Sequence, residues 1–323
     1  MPKAIRIYKA GGAELLQWED VSVGDPGPGQ ARVRNHAVGL NFTDVYHRIG
    51  LYPLSYPTGL GLEGAGVVEA VGEGVANVKP GDRVAYANPP IGAYAEVRNM
   101  PADRLLNLPD SVSFEQGAAM MLKGMTVQYL IKRTYKVQRG DTVLWHAAAG
   151  GVGLIACQWL AALGVTTIGT VGSEEKAKLA KAHGCHHVIN YSRENFLERV
   201  KEITQGAGVP VVYDSVGKDT FERSMECLRP FGMMVSFGNA SGPVAPIDIG
   251  KTLKGSLFIT RPSLMPYTAK RDDLVAAAKD LFEVVLSGKV KIEIDQRYPL
   301  REAAQAQRDL EARKTTGSTL LVP

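Results

Sequence analysis

The sequence predicts an α/β protein in which a β-rich segment precedes a parallel sheet covered by helices. Two patterns predict it. From residue 142 onward, apolar strands and helices alternate. "GDTVLWHA", "VTTIGTVG", "HHVINY", "VPVVYDSVG" and "MMVSFG" read as strands, with "SEEKAKLAKAHG", "NFLERVKEITQ" and "TFERSMECLRPFG" as helices between them. Before residue 122 the chain has the alternation of half-buried strands in "KAIRIYKA" and "QARVRNHAVGL". Valine-rich runs broken by Gly and Pro-Gly follow in "EGAGVVEAVGEGVANVKPGDRVAYA", and short strands so punctuated suggest a barrel or sandwich.

The remaining elements follow in order. A helical turn is expected at "NFTDVYHRIG". A helix over "SFEQGAAMMLKGMTVQYLIKR" places Phe114, Ala118, Met121 and Met125 on one face. The sheet ends with "GSLFITR". The tail "RDDLVAAAKDLFEVVLSGKV" reads as an amphipathic helix, then come a strand near "IEIDQRYPL", a helix "REAAQAQRDLEARK" and a last strand in "GSTLLVP".

At 323 residues the chain is long enough for two cores. Net charge is +4 and no run of Lys or Arg reaches five, so charge does not indicate a nucleic-acid surface. Cys157, Cys185 and Cys227 are odd in number, far apart and without a CxxC. They build neither a disulfide framework nor a structural zinc site, and they suit a reducing, cytoplasmic compartment. "MPKAIRIYKAGG" has no apolar run of the signal-peptide kind, and no segment approaches 18 uninterrupted apolar residues.

The turn "HAAAGGVG" sits between a strand and a helix. Its frame A-x-G-x-x-G is Ala148, Gly150 and Gly153. Gly150 admits a pyrophosphate to the backbone, Gly153 lets helix and strand lie close, and the helix N-terminus offers N–H groups and positive charge. With the βα series after it, this is a Rossmann-type cofactor domain. NAD sites place an acid at the end of the second strand. Here that strand ends in Gly172 and Ser173, with Lys176 following, which leaves room and charge for a 2′-phosphate and points to NADPH. Glu174 and Glu175 stand beside them and can face solvent.

"NFTDVYHRIGLYP", "GLEGAGVV", "GDRVAY", "LKGMTVQYL", "HAAAGGVGLIACQWLAALG", "VVYDSVG", "VSFGNASG" and "ITRPSL" together resemble the quinone oxidoreductases. These form the zeta-crystallin branch of the medium-chain dehydrogenase/reductase superfamily. The resemblance runs from the first strand to the last residues. It implies a β-rich GroES-like catalytic domain from residues 1–124 and 263–323 around a Rossmann domain of residues 125–262.

Zinc alcohol dehydrogenases of the same superfamily hold a Cys near the equivalent of "NFTD" and a His in a G-H-E motif. This chain has Asn41 and Leu62 there, and a carboxamide and an isobutyl group do not bind zinc. The Cys-rich lobe after "GDRV" is missing too, so no metal is expected. Without a Lewis acid an alkoxide is hard to stabilise, whereas a quinone is already a strong acceptor that needs mainly positioning.

The resemblance implies NADPH-dependent reduction of a quinone in the interdomain cleft, with Asn41, Asp44, Tyr46 and Tyr52 lining the site. Asn41 can donate to a carbonyl oxygen, and the tyrosines can stack or donate. Ordinary packing is the alternative for the tyrosines, and a helix cap for Asp44. Implied cofactor contacts are Phe42, Thr43, Thr126 and Tyr129, Gly150, Gly151 and Val152 at the pyrophosphate, and Gly172, Ser173, Lys176 and Tyr191 at the 2′-phosphate. Ser215, Phe237, Gly238 and Asn239 lie at the carboxyl ends of later strands, where such sheets place ligands. Ser263, Leu264 and Arg313 complete the set, with a solvated charge the alternative for Arg313.

Two other functions compete. One is reduction of an activated double bond, since a Tyr in a stretch like "GLYP" is the proton donor of mitochondrial-type enoyl reductases. The other is a structural or RNA-binding role without turnover, as in some zeta-crystallin relatives. A homodimer is expected through residues near 245–262, where Leu257, Phe258 and Ile259 form an apolar edge strand that a two-fold partner can extend.

Overall fold

The computed structural model describes residues 1–323. The chain divides into two units. The first comprises Met1–Met125, Met265–Leu286 and Ile292–Pro323; the second comprises Thr126–Leu264 and Ser287–Lys291. The division falls inside the helix Phe114–Tyr129.

The first unit is organised by the strand Gln30–Leu40. Its N-terminal half alternates, with Ala31 and Val33 fully buried and Arg34 exposed, as a half-buried strand requires. It pairs antiparallel with Glu63–Val71, Val97–Pro101 and the C-terminal strand Ser318–Val322. Ile294–Pro299, Arg83–Tyr86 and Leu106–Asn107 complete a seven-stranded sheet. A three-stranded sheet of Gln17–Asp20, Lys3–Ile7 and Thr58–Gly59 shares its core. Ile5 and Ile7 from one chain end and Leu300 and Leu321 from the other meet Val33, Tyr86, Tyr94 and Met100 there. Burying side chains of this size stabilises by roughly 1.5–3 kcal/mol each, so both termini are needed for this core.

The second unit holds a six-stranded parallel sheet. Its order is His187–Asn190, Thr166–Val171, Thr142–Trp145, Val209–Asp214, Leu228–Ser236 and Phe258–Thr260. This is the doubly wound order, with the direction of winding reversing beside the strand Thr142–Trp145. Val209–Asp214 is buried at every position, as an interior parallel strand covered on both faces requires.

Two elements differ from expectation. The helix expected through "TFERSMECLRPFG" ends at Met225, and a strand is already running at Leu228. Pro230 has no N–H for a helical ladder, and Phe231 adopts φ 62°, outside the helical range. The long helix is α-helical only through Tyr129 and closes in a π-helical turn over Leu130–Thr134. No helix is long and apolar enough to cross a membrane.

Candidate functional site

In the second unit, the strand Thr142–Trp145 leads into the glycine turn and the helix Gly151–Ala162. His146, fully buried, pins the turn through its ring nitrogens, which lie 2.8 Å from Thr170 Oγ1 and 2.8 Å from Ser224 Oγ. Burial holds its pKa below the usual histidine value. The two later glycines of the motif do different things. A Cβ at Gly153 would stand 2.3 Å from the Ala147 carbonyl oxygen and 2.7 Å from Ala148 backbone atoms, so this glycine seats the helix on the strand. A Cβ at Gly150 would meet only the Ala147 carbonyl oxygen, at 3.4 Å. Here the space is open, as close approach of a diphosphate requires. Gly151 and Val152, half-buried, open the helix.

At the end of the strand Thr166–Val171, a Cβ on Gly172 would fall 2.7 Å from the Tyr191 hydroxyl. The half-exposed Tyr191 therefore lies directly over Gly172, and Ser192 Oγ donates to the Gly172 carbonyl (2.9 Å). Ser173 caps the helix Glu174–Ala182, accepting from the Lys176 N–H at 3.3 Å. Gly172, Ser173, Lys176 and Tyr191 are thus brought together. Glu174 does not simply face solvent: its Oε1 accepts from Asn190 Nδ2 (2.9 Å) and lies 3.3 Å from the Arg193 guanidinium. Its charge is tied to a cation at the same strand ends.

Ser215, Phe237, Gly238 and Asn239 also converge. The buried Asp214 carboxylate accepts the N–H groups of Val216 and Gly217 and the Thr220 hydroxyl, folding the chain back after its strand. A Cβ at Gly238 would lie 2.5 Å from the Ser215 carbonyl. Phe237 packs 5.7 Å from Trp145, centroid to centroid. Arg261 donates to the carbonyls of Ser236 (2.8 Å) and Gly238 (3.1 Å) and, at 2.9 Å, to the Asn239 side-chain oxygen. Thr126 and Tyr129 are buried in the helix Phe114–Tyr129, while Leu264, buried, begins the helix Leu264–Tyr267 behind the exposed Ser263. Arg313 belongs to the first unit, at φ 58° just past the helix Ala303–Glu311.

In the first unit, Asn41 precedes the helix Phe42–Arg48. Its backbone N–H donates to Asp44 Oδ2 (2.9 Å), the reach-back half of a capping box. Asp44 Oδ2 also accepts the Tyr94 hydroxyl (2.9 Å), and its Oδ1 is buried without a partner. Burial pushes this carboxyl up to about 7, against the opposing effects of its hydrogen bonds and of Lys123. Asp44 therefore combines the cap with a support beneath Asn41. Tyr46 and Tyr52 meet edge to face at 5.4 Å, Phe42 tilts onto Tyr46 at 6.1 Å, and Thr43 is half-buried beside them.

The Asn41 carboxamide donates through Nδ2 to Glu63 Oε2 at 2.8 Å. Glu63 has no exposed surface. Its Oε1 accepts the Leu122 N–H (2.7 Å) and its Oε2 the Lys123 ammonium (3.0 Å). Gly39 makes room, since a Cβ there would fall 2.2 Å from Glu63 Oε2. The sequence reading missed Glu63, Lys123 and Arg261. The signal available for the first two was a single charge inside each of two apolar runs, "GLGLEGAGVV" and "AAMMLKGMTV". A zinc ion does not fit. Asn41 and Leu62 supply no ligand, the Glu63 carboxylate is saturated by an ammonium and two N–H donors, and no group of three His, Cys, Asp or Glu could hold a metal.

Residues 27–110 match the model of the alcohol dehydrogenase GroES-like domain, and residues 151–279 that of zinc-binding dehydrogenases. The second match excludes Asn41 and Leu62, so it concerns the parallel-sheet fold and not metal ligands. The quinone oxidoreductase of Pseudomonas aeruginosa is 54% identical, with all of both chains covered. The crystal structure of Escherichia coli quinone oxidoreductase complexed with NADPH has a TM-score of 0.98 at 50% identity, covering 99% of this chain and 100% of that one. A 2-haloacrylate reductase from a Burkholderia species is 49% identical, covering 100% of this chain and 99% of its own. The chain belongs to the quinone oxidoreductases of the medium-chain dehydrogenase/reductase superfamily.

Proposed function

We propose that the protein reduces quinones with NADPH, using no metal. The observation that carries this reading is the Asn41 carboxamide. An amide NH2 has two N–H bonds; Glu63 takes one, and the other is available to a carbonyl oxygen beside the aromatic cluster of Phe42, Tyr46 and Tyr52. When bound, NADPH supplies a hydride; quinone, that hydride and one proton from water make hydroquinone. The chain's own part is to bind, orient and stabilise. Gly150, Gly151 and Val152 accept the pyrophosphate against the helix N-terminus. Ser173, Lys176 and Tyr191 accept the 2′-phosphate, and Ser215, Phe237, Gly238, Asn239, Ser263 and Leu264 line the cofactor's path with Thr126, Tyr129 and Arg313. Asn41 orients the quinone oxygen, and the aromatic rings hold the ring plane.

Lys176→Ala is expected to weaken NADPH binding by roughly 1–3 kcal/mol, the size of a charge-assisted hydrogen bond, and to leave NADH binding nearly unchanged. Equal losses for both cofactors in a fluorescence titration would remove the 2′-phosphate assignment. A second reading, reduction of activated double bonds, draws support from the identity to the 2-haloacrylate reductase.

The assembly reading is a homodimer. Phe258–Thr260 is the outer strand of its sheet, with Phe258 55% exposed, and Leu253, Ile249 and Phe231 also stand out in solvent. An unpaired edge with apolar side chains invites a second copy. Light scattering should give twice the chain mass, falling toward the chain mass in Phe258→Lys; a wild type that is monomeric at micromolar concentration contradicts it. Three free buried cysteines are consistent with residence in the cytoplasm.

A further inference from the structure

The pair Glu63–Lys123 is nearly sealed from water: Glu63 has no exposed surface, and Lys123 is 5% exposed. A buried ion pair is seldom more stabilising than apolar side chains of the same volume. Folding alone therefore does not account for it. Three donors converge on the carboxylate: the Leu122 N–H on Oε1, and Lys123 Nζ and Asn41 Nδ2 on Oε2. Both carboxylate oxygens therefore face hydrogen-bond donors, one of them an ammonium. The Asp44 carboxyl senses both Lys123 and Glu63, and it holds the Asn41 backbone N–H.

We propose that Glu63 and Lys123 are positioning residues for quinone reduction. Glu63 fixes the Asn41 carboxamide, so that its nitrogen stays toward the carboxylate and its second N–H is left for the substrate. Lys123 cancels the Glu63 charge beneath an oxygen that becomes negative when the quinone gains a hydride, before it takes a proton from water. Without Lys123, a buried negative charge would stand under a developing negative charge, and low dielectric would magnify the repulsion. This rests on the reading that Asn41 meets the quinone oxygen.

The test compares Asn41→Ala, Lys123→Met and the double variant Glu63→Gln with Lys123→Met. It uses NADPH and 1,4-benzoquinone in steady state, quinone binding to the NADPH-free protein by fluorescence quenching, and melting temperature. Lys123→Met should lower kcat about tenfold or more, with KM for NADPH unchanged. The double variant, neutral like the wild-type pair, should recover most of that loss. A merely structural pair predicts no such recovery. Wild-type kcat in folded Lys123→Met while Asn41→Ala is impaired overturns the proposal, as does a double variant no better than Lys123→Met. Wild-type kcat in Asn41→Ala instead overturns the underlying assignment of Asn41, and the proposal with it. If Lys123→Met does not fold, Lys123→Arg and Lys123→Gln take its place. Arginine within about threefold of wild type and glutamine about tenfold lower supports the charge role; equal effects overturn it.

Discussion

Gly39→Ala is expected to abolish turnover and to destabilise the protein by about 3 kcal/mol, the upper range for forcing an added methyl into a packed interior. Gly39 lies in the strand Gln30–Leu40, between the Glu63 carboxylate and the backbone of the helix Phe114–Tyr129. A Cβ there would fall 2.2 Å from Glu63 Oε2 and 2.3 Å from the Ala118 carbonyl oxygen. The second contact is backbone, so no side-chain rotation relieves it. The added methyl pushes on the carboxylate that holds both Asn41 and Lys123. Gly24→Ala is the control, because nothing lies within 4 Å of its added Cβ. Denaturant unfolding and NADPH oxidation should separate the two variants cleanly; a Gly39→Ala protein with the stability and activity of Gly24→Ala would contradict this packing account.

The second large effect is a pH dependence of stability at Asp44. The carboxyl is fully buried and rises from 3.8 in the unfolded chain to about 7 in the fold, chiefly through desolvation. Between these values the native state holds a proton that the unfolded chain has released. Stability from this group is therefore fully present below about pH 4 and is lost as pH rises through 7. The difference is on the order of 4 kcal/mol over the window. Asp44→Asn keeps an acceptor for the Asn41 N–H and the Tyr94 hydroxyl but cannot ionise. Other titrating groups are common to both proteins, so the stability of Asp44→Asn relative to wild type should climb steadily from pH 4 to pH 7.5. A constant difference across that range would mean that Asp44 does not titrate there.

The sequence made some of this legible and not the rest, for reasons tied to distance along the chain. The glycine turn, its flanking strand and helix, and the missing acid after Val171 are local signals, each set by a few adjacent residues. They mark the dinucleotide fold because backbone approach and helix packing need glycine at fixed offsets. Asn41 and Leu62 were legible as absences of metal ligands. The setting of Asn41 was not. Glu63 and Lys123 are brought to it from two other elements, a strand and a long helix, and no local pattern reports a pairing across 60 residues. Asp44 read equally well as a cap or as a site residue, and its full burial and its bond from the Tyr94 hydroxyl, 50 residues away, had no local signal. The overextended helix before Pro230 has a local cause: its apolar spacing fits a helix, whereas the strand begins at Leu228 because pairing with Val209–Asp214 prevails. The pairing of Glu174 with Asn190 and Arg193 was equally hidden, since it joins the ends of two neighbouring strands.

The most direct measurement of the central claim follows NADPH oxidation at equal enzyme concentration with 1,4-benzoquinone, 2-chloroacrylate and a crotonyl thioester as separate acceptors, each with wild type and Asn41→Ala. A quinone site built on the Asn41 carboxamide predicts the highest kcat/KM with benzoquinone, and a loss of about tenfold or more in that value for Asn41→Ala. Turnover of an acrylate or thioester with no turnover of benzoquinone would contradict it and would establish double-bond reduction instead.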